Sequence, residues 1–264
     1  MKYKLIGVDF DGTLLRDDKS ISKNTIDYLK KVRKHNIKLV AVTGRTIEST
    51  KNATDINLFD YLILNNGSIL YDVVNKKIIY EEYLDKKYAK TVTELTDNYS
   101  KKVDYCTFKN YYTYKGKVPS DVKFILRVNS VDEVDENISK INIFLEKTKN
   151  IEEEKQLIEK VNDNAKVIIM QDSDSDKQWI VITPKGISKE KGLEKLGEII
   201  NINLDEMIFF GDGLNDIEVI SAVGMGIAMG NALKEVKEKA KDITKTNNED
   251  GIAYYIKKKI LKEK

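Results

Sequence analysis

The stretch Leu5-Ile6-Gly7-Val8-Asp9-Phe10-Asp11-Gly12-Thr13-Leu14 decides the fold of this chain. Its first four residues predict a short buried strand, and two carboxylates one residue apart follow it directly. If this strand is central in a parallel sheet, Asp9 and Asp11 lie at its C-terminal end, where open α/β sheets bind ligands. Side chains alternate along an extended strand, so both carboxylates would leave the backbone on the same side.

Two carboxylates held this close are costly to ionise together. A divalent cation between them would remove the conflict, and hard oxygen ligands favour Mg²⁺. An isolated pair of this kind is equally compatible with a loop whose acids cap a turn. The remaining motifs of the chain decide between these two interpretations.

The composition argues against several classes of protein. The 264 residues suffice for one large domain or two modest ones. The 45 basic and 43 acidic residues leave a net charge of +2, which indicates a solvated, lysine-rich surface and no nucleic-acid partner. Cys106 is the only cysteine and His35 the only histidine, which excludes an internal disulfide and argues against histidine catalysis. No apolar run suits a signal peptide or a membrane span, so we expect a cytoplasmic protein without a membrane partner.

Strands and helices alternate over the first 67 residues. Residues 22–36 and 46–56 predict helices, while the apolar runs 38–42 and 61–64 predict buried strands. These strands end at Thr43-Gly44-Arg45 and at Asn65-Asn66-Gly67. The alternation is the signature of an α/β fold with a doubly wound parallel sheet, in which the ends of successive strands share one edge.

The pattern changes after Gly67. A hairpin is predicted at 68–72 and 77–82, helices at 86–101 and 152–161, and strands at 123–128, 166–170 and 178–183, with the acidic loop 172–176 as a hairpin turn. A capping box, Ser130 with Glu133, predicts a further helix with one apolar face: Val134, Ile138, Ile141 and Leu145. Residues 83–183 are therefore predicted to form a second, smaller α+β domain, inserted between 1–82 and 184–264.

The first pattern resumes at Ser188. Residues 188–200 predict a helix with Lys189 in its first turn, and 207–210 predict a strand that ends in Gly211-Asp212-Gly213-Leu214-Asn215-Asp216. Residues 224–229 predict another strand, and 232–241 and 247–262 predict the last helices. Four groups thus fall at one predicted sheet edge: Asp9/Asp11, Thr43, Lys189 and Asp212/Asn215/Asp216.

This combination resembles the haloacid dehalogenase-like superfamily of aspartate-dependent phosphohydrolases. The resemblance rests on D-F-D-G-T at 9–13, T-G-R at 43–45, the lysine of G-I-S-K at 186–189 and G-D-G-L-N-D at 211–216. The insertion of 83–183 between the second and third motifs looks like the cap of the Cof-type branch. The resemblance covers the whole chain and implies a Rossmann-like core with a small α+β cap.

The resemblance implies a Mg²⁺-dependent phosphatase that forms a phosphoaspartate. Asp9 would be the nucleophile, and Asp11 the general acid and base. Thr43 would hydrogen-bond the transferring phosphoryl group, helped by the backbone N–H groups of Gly44 and of the turn Phe10–Gly12.

The remaining motif residues would hold charge in place. Lys189 would put a positive charge between the nucleophile and the phosphoryl oxygens. The metal ligands would be a carboxylate oxygen of Asp9, the backbone carbonyl of Asp11, and Asp212. Asn215 would contact the phosphoryl group, and Asp216 would orient the metal shell or Lys189 from behind.

Several of these residues also have a structural interpretation. Thr43 and Asn215 could each cap a helix, and Lys189 could be a surface lysine in a first helical turn. Lys191 and, more remotely, Lys185 compete for the catalytic role, because Glu190-Lys191 stands where the family often has a glycine and a small hydroxyl residue. Arg45 is expected to pair with an acidic neighbour, and a direct role in substrate binding is the alternative.

The expected substrate is a small phosphorylated metabolite: a sugar phosphate, a nucleotide or a phosphorylated cofactor. The inserted domain would close over the sheet edge and select the leaving group. Its candidate selectors are Lys109, Tyr111, Tyr112, Lys123, Arg127 and Trp179. The closest rival is a phosphotransferase or phosphomutase on the same site, and a non-catalytic ligand-binding module is the third interpretation. We expect a monomer or a small homo-oligomer.

Overall fold

The computed structural model describes residues 2–146, 150–161, 164–171 and 177–263. Its strands, in chain order, are β1 (Leu5–Val8), β2 (Lys38–Val42), β3 (Tyr61–Leu64), β4 (Ile69–Asp72), β5 (Lys77–Glu81), β6 (Ser100–Cys106), β7 (Tyr111–Tyr114), β8 (Ile125–Val128), β9 (Lys140–Leu145), β10 (Ala165–Gln171), β11 (Gln178–Pro184), β12 (Met207–Gly211), β13 (Met225–Ala228) and β14 (Asp242–Ile243).

The helices connect these strands. They are α1 (Lys23–Lys34), α2 (Ile47–Ala53), α3 (Lys86–Thr96), α4 (Ile151–Glu159), α5 (Lys189–Ile200), α6 (Ile217–Ala222), α7 (Lys234–Lys239) and α8 (Gly251–Tyr255), which continues as a π-helical turn over Ile256–Ile260. Within the described ranges, none of these helices has the length and apolar character needed to cross a bilayer.

The larger unit is an eight-stranded sheet with the strand order β14-β13-β12-β1-β2-β3-β4-β5. The strands from β14 to β3 run parallel, and β4 and β5 extend the edge in antiparallel pairing. All four residues of β1 are buried, because the strand is covered on both sides as parallel strands usually are. The predicted α/β fold with a doubly wound sheet is confirmed.

The strand order places a switch point beside β1. The chain moves from β1 through α1 to β2 toward one edge, and from β12 through α6 to β13 toward the other. Because such crossovers are right-handed, the two sets of helices cover opposite faces. In agreement, α1 packs against α8, while α5 packs against α6. The C-terminal ends of β1 and β12 therefore open onto a crevice between the helix layers.

A second, six-stranded sheet lies between β5 and α5 in the chain, with the order β10-β11-β9-β6-β7-β8. It is antiparallel except for the pair β7–β8. Its apolar face buries Tyr105, Ile141, Ile143 and Ile180 in one cluster together with Val92 of α3. This arrangement agrees with the predicted smaller α+β unit.

The helix predicted after the capping box is wrong. Ser130 does accept a hydrogen bond from the Asp132 N–H, but only a single 3₁₀ turn forms at Val131–Glu133. Residues 140–145 instead form β9 in the middle of the second sheet. The apolar positions of this stretch also alternate, and pairing with β6 and β11 on both sides favours the strand over the helix.

Two smaller differences concern helix ends. The helix predicted at 86–101 ends at Thr96, because Ser100 already begins β6. The acidic loop 172–176, predicted as a hairpin turn, lies outside the described residues. The strands that flank it, β10 and β11, pair in antiparallel register from Ala165–Pro184 to Gln171–Gln178.

Gly67 sets how closely α5 approaches the end of β3. Its φ is +111°, and a Cβ atom there would lie 2.1 Å from the Ser188 carbonyl oxygen. Only glycine therefore lets the first turn of α5, which carries Lys189, dock at this edge.

Gly67→Ala is expected to lower the free energy of unfolding by about 3 kcal/mol or more, from backbone strain plus the clash with α5. Gly186→Ala is the matched control, since Gly186 also has a positive φ, +80°, but no atom lies within 4 Å of its Cβ position. Urea unfolding would measure both variants. Equal losses would show that the contact with Ser188 does not constrain the packing.

Candidate active site

A cavity of about 890 Å³ lies between the C-terminal edge of the eight-stranded sheet and one face of the second sheet. From the first sheet it is lined by the predicted residues Asp9, Asp11, Thr43, Gly44, Arg45, Lys189, Asp212 and Asn215. From the second sheet it is lined by Tyr111, Lys140, Asn142, Phe144 and Trp179, among others. The cavity therefore gathers the four predicted groups and faces them with residues of the inserted segment.

Lys189 lies at the centre of the polar groups. It begins α5 after the N-cap Ser188, and only 2% of its side chain is exposed. Its Nζ donates hydrogen bonds to Asp9 Oδ1 at 2.6 Å and to Asp216 Oδ1 at 2.7 Å. Burial alone would lower the pKa of Lys189, but the charges of Asp216 and Asp9 raise it above its ordinary value, so the ammonium stays charged.

The competing lysines point elsewhere. Lys191 is exposed and forms an ion pair with Glu194 at 2.7 Å, and Lys185 is exposed. The expectation that Lys189 is the lysine of the site is therefore the one that the geometry favours.

Three carboxylates crowd around this single ammonium. Asp9, Asp212 and Asp216 are buried, and each offers an oxygen within 4.8 Å of the other two. Burial raises the pKa of Asp9, and the charges of Asp216 and Asp212 add to the rise while Lys189 opposes it. Burial, followed by the charge of Asp216, raises the pKa of Asp212 to about 7. A divalent cation would relieve this repulsion, and an all-oxygen donor set suits Mg²⁺.

Asp216 is already engaged through both oxygens. Besides the Lys189 contact, its Oδ2 accepts hydrogen bonds from the backbone N–H groups of Asp212 at 3.1 Å and Gly213 at 3.0 Å. It thus orients both the lysine and the Asp212 loop, in keeping with the predicted supporting role. Asp9 and Asp212 accept fewer hydrogen bonds than Asp216, so their oxygens are more available to a cation.

The turn after β1 packs directly onto Asp212. Thr13 Oγ1 donates a hydrogen bond to Asp212 Oδ1 at 2.7 Å. Gly12 has a φ of +76°, and a Cβ there would lie 2.2 Å from Asp212 Oδ2. Thr13 was not among the predicted site residues, although its position in the D-G-T turn beside Asp11 was a signal for it. These contacts fix the position of the turn after β1 relative to the loop after β12.

Asp11 forms ion pairs with Arg45 and Lys19 and is not one of the three clustered carboxylates. Strand β1 ends at Val8, so the alternation of an extended strand does not reach Asp11, and its side chain is half-exposed. The Arg45 guanidinium donates two hydrogen bonds to the Asp11 carboxylate, from Nε to Oδ2 at 2.8 Å and from Nη2 to Oδ1 at 2.7 Å. Burial alone would raise the pKa of Asp11, but Arg45 and Lys19 lower it. The expected acidic partner of Arg45 is therefore Asp11.

The remaining predicted residues line or support the same cavity. Thr43 is buried, and its Oγ1 accepts a hydrogen bond from the Arg45 N–H; Thr46, and not Thr43, caps α2. Asn215 lines the cavity and does not cap α6, whose N-cap residue is Asp216. The ring of Phe10 packs in the core against Phe59, so only its backbone is available to a ligand.

The predicted selectors divide into two groups. Tyr111 and Trp179 line the cavity, and Trp179 stacks on Phe144 with ring centroids 5.9 Å apart. The others do not line the cavity: Lys109, Tyr112, Lys123 and Arg127. Tyr112, for example, donates a hydrogen bond to Asp135 within the second unit. Lys140, Asn142 and Phe144 were missed because β9 was predicted as a helix.

Comparison with known proteins identifies the family of the chain. The sequence profile of haloacid dehalogenase-like hydrolases matches residues 6–256. The 5-amino-6-(5-phospho-D-ribitylamino)uracil phosphatases YcsE and YitU of Bacillus subtilis are 28% and 27% identical, over 98% and 97% of this chain and 96% and 97% of their own lengths. A haloacid dehalogenase-like hydrolase from Bacteroides thetaiotaomicron has the same fold, with a TM-score of 0.82 and 27% identity over 97% of this chain and 99% of that one. The chain belongs to the family of haloacid dehalogenase-like hydrolases.

Proposed function

We propose that this protein is a Mg²⁺-dependent phosphatase of small phosphorylated metabolites that works through a phosphoaspartate on Asp9. The observation that carries the proposal is the buried cluster in which Lys189 Nζ lies 2.6 Å from Asp9 Oδ1 while Asp212 approaches from the other loop. A phosphate monoester is an anion, so an anionic nucleophile reaches it only where positive charge is fixed in advance.

Asp9 is the group placed to attack phosphorus. One of its oxygens bonds to phosphorus as the bond to the leaving oxygen breaks, and water later cleaves the aspartyl phosphate to free inorganic phosphate. Lys189 opposes the rise in the pKa of Asp9 that burial causes, and it would neutralise charge on the phosphoryl oxygens. Asp9, Asp212 and the carbonyl of Asp11 would hold Mg²⁺, which when bound supplies further positive charge to the phosphoryl group. Thr43, Gly44 and Asn215 bind the other phosphoryl oxygens.

Asp11 would give its proton to the leaving oxygen and later take one from water. In the ion pair of Asp11 with Arg45, the guanidinium holds this carboxyl ionised. We therefore infer that the Asp11–Arg45 pair opens when substrate enters, which frees the carboxyl to take up a proton.

The inserted segment 83–183 would act as the cap that selects the leaving group. Support comes from the cavity, whose second wall belongs entirely to this segment. Two relatives are named as phosphatases of a phosphorylated ribitylaminouracil, which fits small phosphorylated metabolites as the substrate class. Release of phosphate without an added acceptor would distinguish hydrolysis from the rival phosphotransferase or mutase activity.

Asp9→Asn tests the nucleophile. The amide keeps the shape of the side chain but cannot form the acyl phosphate, so phosphate release from p-nitrophenyl phosphate is expected to fall by about 10³-fold or more. Asp205→Asn, an exposed acid on the same unit, is the control and should keep full activity. Unchanged turnover in Asp9→Asn, or full wild-type turnover in chelator, would refute the mechanism.

Asp212→Asn tests the electrostatic origin of the metal site. Because the folded pKa of Asp212 is raised to about 7, the folded protein holds a proton that the unfolded chain has already lost, and stability in chelator falls as pH rises from about 4 to 7. The substitution is expected to raise the free energy of unfolding at pH 8 by about 2 kcal/mol, with the gain vanishing toward pH 4. Added Mg²⁺ should raise the melting temperature of wild type but scarcely that of the variant. An Asp212→Asn variant that is less stable than wild type at pH 8 would contradict the claim that charge repulsion raises the pKa of Asp212.

Arg45→Gln tests the proposed state of Asp11. Loss of the guanidinium removes one of the two cations that lower the pKa of Asp11 and leaves only Lys19, so the carboxyl stays protonated to higher pH. In the dependence of kcat/KM on pH for an alkyl phosphate, the basic limb is expected to shift to higher pH. Arg33→Gln, which breaks an ion pair with Asp60 far from the cavity, should leave the profile in place. An unmoved basic limb in Arg45→Gln would exclude Asp11 as the acid.

A further inference from the structure

One face of β9 is polar and lies against the cavity. Ile141, Ile143 and Leu145 point into the apolar cluster of the second sheet. Lys140, Asn142 and Phe144 alternate with them and line the cavity. Lys140 and Asn142, the two polar members, have no role in the chemistry proposed above.

Lys140 is a buried ammonium without a carboxylate partner. The residue is 5% exposed, and its Nζ donates a hydrogen bond to the Gly44 carbonyl oxygen at 2.5 Å. Across the described ranges, no Asp or Glu oxygen lies within 4.0 Å of this nitrogen, in contrast to Lys189 with its two carboxylates. An ammonium has three donors, and leaving two unused in a buried position is costly.

Two buried amide oxygens that belong to residues of the same cavity are also unpaired. Among the residues that the structure describes, Asn66 Oδ1 and Asn142 Oδ1 have no hydrogen-bond partner, and both residues line the cavity. The Asn142 amide is held by its Nδ2 on Cys106 Sγ at 3.5 Å. Asn66 Oδ1 and Lys140 Nζ lie 2.9 and 3.6 Å from one point, the position that a Cβ on Gly44 would occupy. The donor and the acceptor thus both lie close to Gly44 at the wall of the cavity.

We propose that Lys140, Asn66 and Asn142 form a hydroxyl-binding subsite that selects phosphate monoesters of polyols and sugars. The hydroxyl that it binds is the one on the carbon next to the ester carbon. The proposal rests on the proposed function. A hydroxyl both donates and accepts, so it satisfies the ammonium and an amide oxygen together, whereas a carboxylate would leave the amide oxygens unpaired. Gly44 adjoins Thr43, which places the subsite beside the phosphoryl position. Lys140 is a specificity residue here and takes no part in the bond-making steps.

Three substrates with the same three-carbon skeleton test the subsite: propyl phosphate, glycerol 1-phosphate and 3-phosphoglycerate. Wild type is expected to have a kcat/KM for glycerol 1-phosphate about 10- to 100-fold above that for propyl phosphate, the loss typical of a charged hydrogen bond left unmade. Lys140→Met should lower kcat/KM for glycerol 1-phosphate about tenfold more than it lowers kcat/KM for propyl phosphate. Lys90→Met, which removes a lysine on helix α3 that pairs with Asp132, is the control and should retain the preference.

The outcomes separate this proposal from the proposed function. Equal losses on both substrates in Lys140→Met would overturn it in favour of a phosphoryl or structural role, and a wild-type preference for 3-phosphoglycerate would overturn it in favour of an anion subsite. If Lys140→Met fails to fold, the wild-type ratio decides: no preference for glycerol 1-phosphate over propyl phosphate refutes the subsite. Phosphate release from propyl phosphate that is lost in Asp9→Asn supports the proposed function whichever result appears.

Discussion

The buried ion pairs of Lys189 with Asp9 and Asp216 are the constraint on which the rest of the site depends. Three residues from separate parts of the chain meet there, each at the end or start of a different element. Since breaking a buried ion pair leaves an uncompensated charge, the end of β1, the start of α5 and the loop after β12 are held together. One ammonium among three carboxylates still leaves excess negative charge, and that excess is the physical reason to expect a bound cation.

The two sheets supply different parts of the cavity. The loops at the edge of the eight-stranded sheet supply the charged groups, and close packing at Gly12 and Gly67 fixes their separation. The second sheet lines the cavity with one of its faces, on which Lys140, Asn142 and Phe144 occupy alternate positions of β9. Because Lys140 reaches back to the Gly44 carbonyl, the wall that would select the leaving group is tied to the turn that would hold the phosphate.

The sequence predicted the strands of the first sheet and the position of charged residues at their C-terminal ends. Each apolar run that ends in Asp, Thr-Gly or Gly-Asp marks both a buried strand and the polar residue that follows it. It could not predict that Asp11 turns toward Arg45, since that depends on where β1 stops extending. It failed at 134–145, where the apolar spacing suits both a helix and a strand. Only pairing with β6 and β11 decides for the strand, and so Lys140 and Asn142 were missed as cavity residues.

The central claim is that crowded, partly protonated carboxylates create the metal site. Calorimetric titration of the protein with Mg²⁺, in buffers of different ionisation enthalpy, measures the protons that binding displaces. Because burial raises the pKa of Asp212 to about 7, binding at pH 6.5 is predicted to release protons, and the release from this carboxyl should disappear by pH 9. Binding that displaces no proton at pH 6.5, or no binding at either pH, would contradict the claim.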